Sequence, residues 1–205
     1  MKSDTRERLL VAAQAVFSQH GFEATTVHMI AEEAGANIAA VNYHYGSKAD
    51  LYAECVAGYL EESIRCMPTL QDAPDAPREQ LVAFIRWFFK RYSSDSPLRQ
   101  LSFDLASLGP KLFPKVAETV IRPEFDACTS LVKAIVPART PPAVIRAQVM
   151  SIFALCVAPM RGSHLYALLY PGIAFDDKEV EALAEQAIRQ VTAGLDALPR
   201  DQQSP

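Results

Sequence analysis

Residues 21–48, GFEATTVHMIAEEAGANIAAVNYHYGSK, decide the fold of this 205-residue chain. The apolar residues near the start of this stretch recur at the three- and four-residue spacing of one helix face: Val27, Ile30, Ala31 and Ala34. Either Thr25 or Thr26 can cap that helix, and Gly35 can end it. The pattern therefore predicts a helix over residues 26–34.

A further short helix follows after a turn of about three residues. Asn37 can cap it, residues 38–45 form its body, and Gly46 ends it. Ahead of both helices, residues 4–20 show the same helical spacing of apolar side chains. Three short helices with a glycine-containing turn before the last one are typical of a helix-turn-helix, whose last helix enters the major groove of DNA.

The side chains of this motif can be sorted by the DNA groups that they suit. We expect Val41 and Tyr45 of the last helix to face the protein core. The residues whose donors suit the phosphate backbone are Thr25, Thr26, Asn37, Tyr43, His44 and Lys48. The residues placed toward base edges carry only apolar groups, which can meet thymine methyls: Ile38, Ala39 and Ala40. Asn42 adds one amide, so we expect sparse direct readout and specificity that depends much on DNA shape.

The charge of the chain restricts how it can bind nucleic acid. The formal net charge is −4, which excludes a protein that coats nucleic acid by its overall charge. Residues 1–50 hold four Lys and Arg against six Asp and Glu. Any positive face on the DNA-binding end must therefore come from the placement of a few side chains.

The stretch 21–35, the tract VNYHYGSK at 41–48 and Leu51 resemble the DNA-binding domain of TetR/AcrR-family transcriptional regulators. The resemblance covers residues 4–60, and the remainder is similar to the branch with CecR-like C-terminal domains. It implies an all-α fold of about nine or ten helices, a dimer made by the last two long helices and a C-terminal ligand pocket. By position it implies the phosphate-contacting and base-facing residues named above. The chain departs from the family pattern at two positions. Many family members have a basic or polar residue where this chain has Ile38, and an acidic residue where it has Met29.

The second half of the chain holds most of the aromatic residues. Several lie with polar side chains in a pattern that suits either a hydrophobic core or a ligand pocket with a few polar anchors. The residues of the candidate ligand site are Phe84, Trp87, Phe88, Arg91, Phe103, Phe153, Arg161 and His164. Pro159 is expected to break or kink the helix over 141–158, and a break would leave Arg161 and His164 on an irregular segment.

Two helices of the second half are predicted to form the dimer interface, over residues 141–158 and 177–197. Their expected contact faces use small and branched apolar residues that allow close crossing: Val149, Phe153 and Val157 on one, and Leu183, Ala187, Val191 and Leu195 on the other. A dimer presents two recognition helices to DNA half-sites about one turn apart.

These observations predict two domains, a helix-turn-helix domain over 1–47 and a helical ligand-binding and dimerisation domain over 48–205. The expected partners are a double-stranded palindromic DNA operator, a second copy of the chain and a small hydrophobic or aromatic effector that releases the DNA. The chain contains no GxSxG, HExxH or phosphate-loop motif and no histidine spacing typical of a metal site, so no enzyme activity, cofactor or metal is expected. An activator of the same fold, a helical enzyme and a partner-binding module are the alternatives to a repressor.

The sequence also predicts where the protein acts. Its first residues lack the apolar segment of a signal peptide. No run of about 18 uncharged apolar residues indicates a membrane span. We therefore expect a cytoplasmic protein with no membrane partner.

Overall fold

The computed structural model describes residues 2–91, 93, 96, 109–161, 168–173 and 175–198. All regular structure within these ranges is helical, which confirms the all-α prediction. The helices follow one another as α1 (Lys2–Ala24), α2 (Val27–Glu33), α3 (Ile38–Tyr45), α4 (Lys48–Ile64), α5 (Pro77–Lys90), α6 (Gly109–Val116), α7 (Arg122–Ile135), α8 (Pro142–Arg161) and α9 (Asp177–Asp196). A π-helical turn, Ala117–Ile121, joins α6 to α7.

The chain forms two compact units. The first consists of Met1–Arg65 and Asp95–Val120, and the second of Cys66–Ser94 and Ile121–Pro205. In the first unit α4 packs against α1, α3 and α6. The helix that follows the helix-turn-helix motif therefore belongs structurally with the first unit.

Glycines and cap residues set the ends of the first helices. Gly21 lies at φ 72° and interrupts α1 three residues before its end, because other residues avoid this left-handed region. Gly35, at φ 57°, follows α2, and Gly46, at φ 83°, follows α3. At the start of α4, Ser47 accepts a hydrogen bond from the Asp50 backbone N–H at 3.0 Å. The predicted boundaries of α2 and α3 are thus confirmed to within one residue, whereas α1 continues beyond its predicted end at residue 20, past the break at Gly21, to Ala24.

The core of the first unit forms where α1, α2, α3 and α4 meet. The side chains of Phe17, Val41 and Leu51 are fully buried there. The rings of Phe17, Phe22 and Tyr52 lie within 6.1 Å of one another, centroid to centroid. This packed aromatic group holds α1 against α4.

The second unit is a bundle of α5, α7, α8 and α9 around its own core. Phe84, Leu131 and Ile152 are fully buried in it, one each from α5, α7 and α8. From α9 the core receives Val180, Ala184, Ala187, Ile188, Val191 and Leu195. Each helix thus buries one apolar stripe in this shared core.

The predicted dimer faces are wrong, because these residues belong to the core of their own unit. Val149, Phe153, Ala187, Val191 and Leu195 are buried there, and Val157 and Leu183 pack against it. Helical periodicity marks an apolar face without telling whether the same chain or another copy covers it. Any dimer surface on α8 and α9 must use their other faces.

Helix α8 differs from its prediction in a second respect. It continues past Pro159 to Arg161, since a proline near a helix end removes little of the backbone hydrogen bonding. The stretch Pro142–Pro159 is long enough, at 18 residues, and apolar enough, with mean hydropathy 1.5, to cross a membrane. One side of α8 lies in the core of the second unit, as in the core helix of a bundle.

Candidate nucleic-acid interface

Helix α3 is buried on one side only. Val41 and Tyr45 are 0% and 8% exposed, which confirms the predicted core-facing pair. On its outer side Ile38 is 45% exposed and Tyr43 71% exposed, and Ala39 and Asn42 are exposed too. Single apolar residues on a surface are ordinary, but here they form one face of a short helix. This face is the outward surface that the helix-turn-helix pattern predicts.

The N-terminus of α3 is capped and open to solvent. The Asn37 side-chain oxygen accepts a hydrogen bond from the Ala39 backbone N–H at 2.9 Å, and Asn37 is itself exposed. The first backbone N–H groups of a helix carry partial positive charge and suit a phosphate. Ala40, half-buried, is the next residue on this turn.

Thr25 and Thr26, the two residues before α2, have different structural roles. Thr26 is exposed and caps α2, accepting a hydrogen bond from the Met29 backbone N–H at 3.2 Å. Thr25 is 1% exposed, and its hydroxyl donates to the Gly21 carbonyl at 2.7 Å. The expected phosphate contact of the Thr25 side chain is incompatible with this burial, so Thr25 instead holds the corner between α1 and α2.

Lys48 also turns inward rather than toward the outer face of α3. Its ammonium Nζ donates to the Phe22 carbonyl at 2.8 Å and to the Thr25 carbonyl at 2.9 Å. The same Nζ lies 4.4 Å from the centroid of the Phe22 ring, a cation–π contact. Lys48, which the sequence predicts to contact a DNA phosphate, thus forms its hydrogen bonds at the corner between α1 and α2.

The end of α3 is tied to α1 by a contact between Tyr45 and Arg6 that the sequence did not predict. The Tyr45 hydroxyl donates to the Arg6 carbonyl at 2.6 Å, and the Arg6 guanidinium lies 5.0 Å from the Tyr45 ring centroid. Burial raises the pKa of Tyr45, so its hydroxyl stays protonated and able to donate. The signal was present in the sequence, because a core tyrosine needs a hydrogen-bond partner for its hydroxyl.

Tyr43 and His44 lie together at the C-terminal half of α3. Their rings make an edge-to-face contact with centroids 5.0 Å apart, with Tyr43 exposed and His44 half-buried. Both carry donors at positions where a helix in a groove flanks the sugar–phosphate backbone. Asn37 and the Tyr43–His44 pair therefore place polar groups at the two ends of α3, and Thr26 places one at the N-terminus of α2.

The candidate ligand residues of the second unit form its aromatic core. The Phe153 ring lies 6.1 Å from Phe84, 5.9 Å from Phe88 and 3.9 Å, stacked, from Phe125. Trp87 lies 5.4 Å from Phe84. The structure therefore brings together Phe84, Trp87 and Phe88, as predicted from their spacing, and adds Phe153 from α8. Phe103 and His164 lie outside the described residues, as does the side chain of Arg161.

Arg91 forms a buried ion pair that the sequence did not reveal. Its Nη1 lies 2.6 Å from Glu124 Oε1, and both side chains are 7% exposed. The guanidinium also lies about 5 Å from the ring centroids of Trp87 and Phe88. Burial raises the pKa of the Glu124 carboxyl, and the neighbouring Arg91 offsets part of the rise. The sequence signal for Glu124 was a lone carboxylate among the inward residues of α7.

Helix α3 is short, capped and exposed on one side, and it packs against α2. This arrangement is typical of the helix-turn-helix class of proteins. The family model for "Bacterial regulatory proteins, tetR family" matches residues 9–55. The model for the C-terminal domain of the HTH-type transcriptional dual regulator CecR matches residues 77–198, more than half of the chain. The chain belongs to the tetR family of bacterial regulatory proteins and carries a C-terminal domain of the CecR type.

Individual relatives agree with this assignment. The chain is 34% identical over 144 residues to the dual regulator CecR of Shigella flexneri, covering 63% of each chain. It is 29% identical over 92 residues to the nicotine-responsive repressor HdnoR of Paenarthrobacter nicotinovorans, covering 45% of this chain and 47% of that one. The chain thus spans less than two thirds of the length of either relative. These relatives are transcriptional regulators, not enzymes.

A solved TetR-family regulator from Mesorhizobium loti has the same fold. It superposes with a TM-score of 0.66, covering 95% of this chain and 98% of that one at 20% identity. At this identity the likeness supports the fold alone.

Proposed function

We propose that the chain is a ligand-responsive transcriptional repressor that binds a palindromic DNA operator as a homodimer. The observation that carries the DNA-binding part is the one-sided burial of α3, whose outer face is exposed and flanked by donors. We assign the DNA-binding role to residues 1–47 and the ligand-binding and dimerisation role to residues 48–205. The location that we propose is the cytoplasm, where its operator lies.

The outer face of α3 carries few hydrogen-bonding groups that could distinguish one base from another. We propose that Ile38, Ala39 and Ala40 contact base edges, mainly thymine methyls, with Asn42 as the one amide. Thr26, Asn37, Tyr43 and His44 are the proposed phosphate contacts. With so few hydrogen-bonding groups facing bases, DNA shape supplies much of the specificity.

A second copy of the chain has an open surface to pack against. The side of α8 opposite its core face is exposed and almost free of charge: Ala143, Ala147, Met150, Ala154 and Ala158. On α9 the exposed side includes Ala182, Gln186, Arg189 and Ala193. Small residues let helices of two subunits approach closely, so we propose that these faces form the dimer.

Placing a charge on this open face should separate the subunits. We expect Ala154→Glu to convert a dimer to a monomer at micromolar concentration, since it buries an unpaired carboxylate in an apolar interface. Sedimentation velocity measures the change. Ala134→Glu is the matched control, because Ala134 is an exposed alanine on α7 of the same unit. A variant at Ala154 that stays dimeric would place the interface elsewhere.

The effector that we propose is a small hydrophobic or aromatic molecule. The clustered rings of Phe84, Trp87, Phe88 and Phe153 supply the apolar contacts that such a molecule needs. Phe103, Arg161 and His164 remain proposed members of this site. Arg91 is already paired with Glu124, so we expect it to contribute its stacked guanidinium rather than an unsatisfied charge. HdnoR, described as nicotine-responsive, shows a comparable effector class in a relative.

Fluorescence anisotropy with a labelled duplex from upstream of the protein's own gene tests the function. We expect specific binding that weakens linearly with the logarithm of salt concentration and that planar aromatic compounds reverse. A reporter on the same promoter separates the alternatives, because deletion of the gene raises expression for a repressor and lowers it for an activator. Equal affinity for the upstream duplex and for a shuffled one contradicts the proposal.

A further inference from the structure

Three backbone carbonyls at the corner between α1 and α2 accept hydrogen bonds from side chains. Gly21 accepts from the Thr25 hydroxyl, while Phe22 and Thr25 accept from the Lys48 ammonium. Helix ends leave such carbonyls without partners, and a cation is a favoured neighbour there. We call Phe22, Thr25 and Lys48 the corner clasp.

The clasp joins the chain before α2 to the chain after α3, the helix that we propose enters the DNA groove. Phe22 and Thr25 come just before α2, and Lys48 comes just after α3, 26 and 23 residues further on. The ammonium therefore closes a loop that contains all of α2 and α3. Because Lys48 is also the first residue of α4, its side chain joins the start of α4 to the end of α1 and to the residue that precedes the N-cap of α2.

We propose that Lys48 is a positioning residue, which sets the orientation of α2 and α3 and does not neutralise a DNA phosphate. The proposal rests on the proposed DNA binding and deepens it, replacing the phosphate contact that the sequence predicts for this lysine. Two of the three N–H groups of the ammonium donate to carbonyl oxygens at 2.8 and 2.9 Å, and Nζ also lies against an aromatic face. If the Lys48 ammonium left the clasp to bind a phosphate, the Phe22 and Thr25 carbonyls would lose this hydrogen-bond donor.

The salt dependence of operator binding separates the two roles of Lys48. A residue that neutralises a phosphate lowers the slope of log K against log salt by about 0.9 when it is removed. We expect Lys48→Met to weaken operator binding about tenfold with an unchanged slope, since it removes charge-assisted hydrogen bonds within the protein. Arg8→Met is the matched control for loss of one positive charge from an exposed site in the same unit. Affinity for a random duplex should stay near that of the wild type.

A double-mutant cycle with Phe22→Leu tests the clasp itself. Phe22 supplies the ring and carbonyl that hold the ammonium, so the two substitutions should be strongly non-additive in operator affinity. Additive effects, or a slope that falls by about 0.9 for Lys48→Met but not for Arg8→Met, overturn the positioning role.

Hydrogen exchange of the free protein tests the clasp without DNA. Lys48→Met should speed amide exchange across residues 22–46 while peptides of the second unit keep their rates. This confined change is absent from a variant that merely lowers global stability, and uniform or unchanged exchange contradicts the clasp. If the wild type binds no operator specifically, the proposed function fails, and the exchange pattern still decides whether the clasp holds α2 and α3.

Discussion

Replacing Ala39 with glutamate is expected to lower operator affinity at least about a hundredfold, because like-charge juxtaposition across an interface costs several kcal/mol. Ala39 is exposed on the first turn of α3, at the centre of the proposed base-facing residues. A carboxylate in the first turn is favourable for the helix itself, and the Ala39 backbone N–H keeps its bond to Asn37. The loss therefore reports on DNA contact and not on folding. Fluorescence anisotropy at fixed salt measures it.

The matched control adds the same charge to α1. Ala15 is an exposed alanine of the first unit, and Ala15→Glu should change operator affinity by no more than about twofold. Circular dichroism should show that both variants retain the helix content of the wild type. Tight operator binding by Ala39→Glu would mean that α3 does not enter a groove.

The helix-turn-helix could be predicted almost completely because its signals are local. Gly35 and Gly46 mark positions of positive φ, and Asn37 accepts a bond from a backbone N–H only two residues away. The side chains of Thr25 and Lys48 could not be placed in the same way. Their partners are carbonyls of Gly21, Phe22 and Thr25, exposed for bonding only because α1 breaks at Gly21 and α4 passes beside the break.

The second unit shows a different limit of sequence reasoning. The spacing of Phe84, Trp87 and Phe88 predicted correctly that their side chains lie together. Helix α8 has one face of larger apolar residues and one of alanines, and both satisfy the same periodicity. The larger face, with Val149 and Phe153, was assigned to a dimer although it packs in the bundle core. Only the packing of α5, α7 and α9 decides which face stays open.

Two ion pairs of the second unit have the same N–O distance and very different surroundings. Arg91–Glu124 and Arg86–Glu185 both measure 2.6 Å. The first pair is 7% exposed on both sides, whereas the second is 61% and 40% exposed. Water screens the exposed pair, while removal of one buried partner leaves a charge without compensation. The two pairs therefore allow burial to be varied with the contact distance held constant.

We expect Glu124→Ala to lower the free energy of unfolding by about 3–5 kcal/mol, because it leaves the Arg91 charge buried without its carboxylate. The matched variant Glu185→Ala should cost no more than about 1 kcal/mol. Urea unfolding followed by circular dichroism gives both values under the same conditions. Equal losses from the two variants would mean that the Arg91–Glu124 pair is not buried as the structure places it.

A double replacement separates the buried charge from the space that it fills. Arg91→Met with Glu124→Leu removes both charges and keeps apolar volume beside Trp87 and Phe88, so most of the lost stability should return. Because the guanidinium also stacks on these rings, the double variant tests whether the pair serves stability or effector binding. Restored stability with weakened release of operator by an aromatic effector assigns Arg91 to the ligand site. Restored stability with normal release assigns the pair to the fold alone.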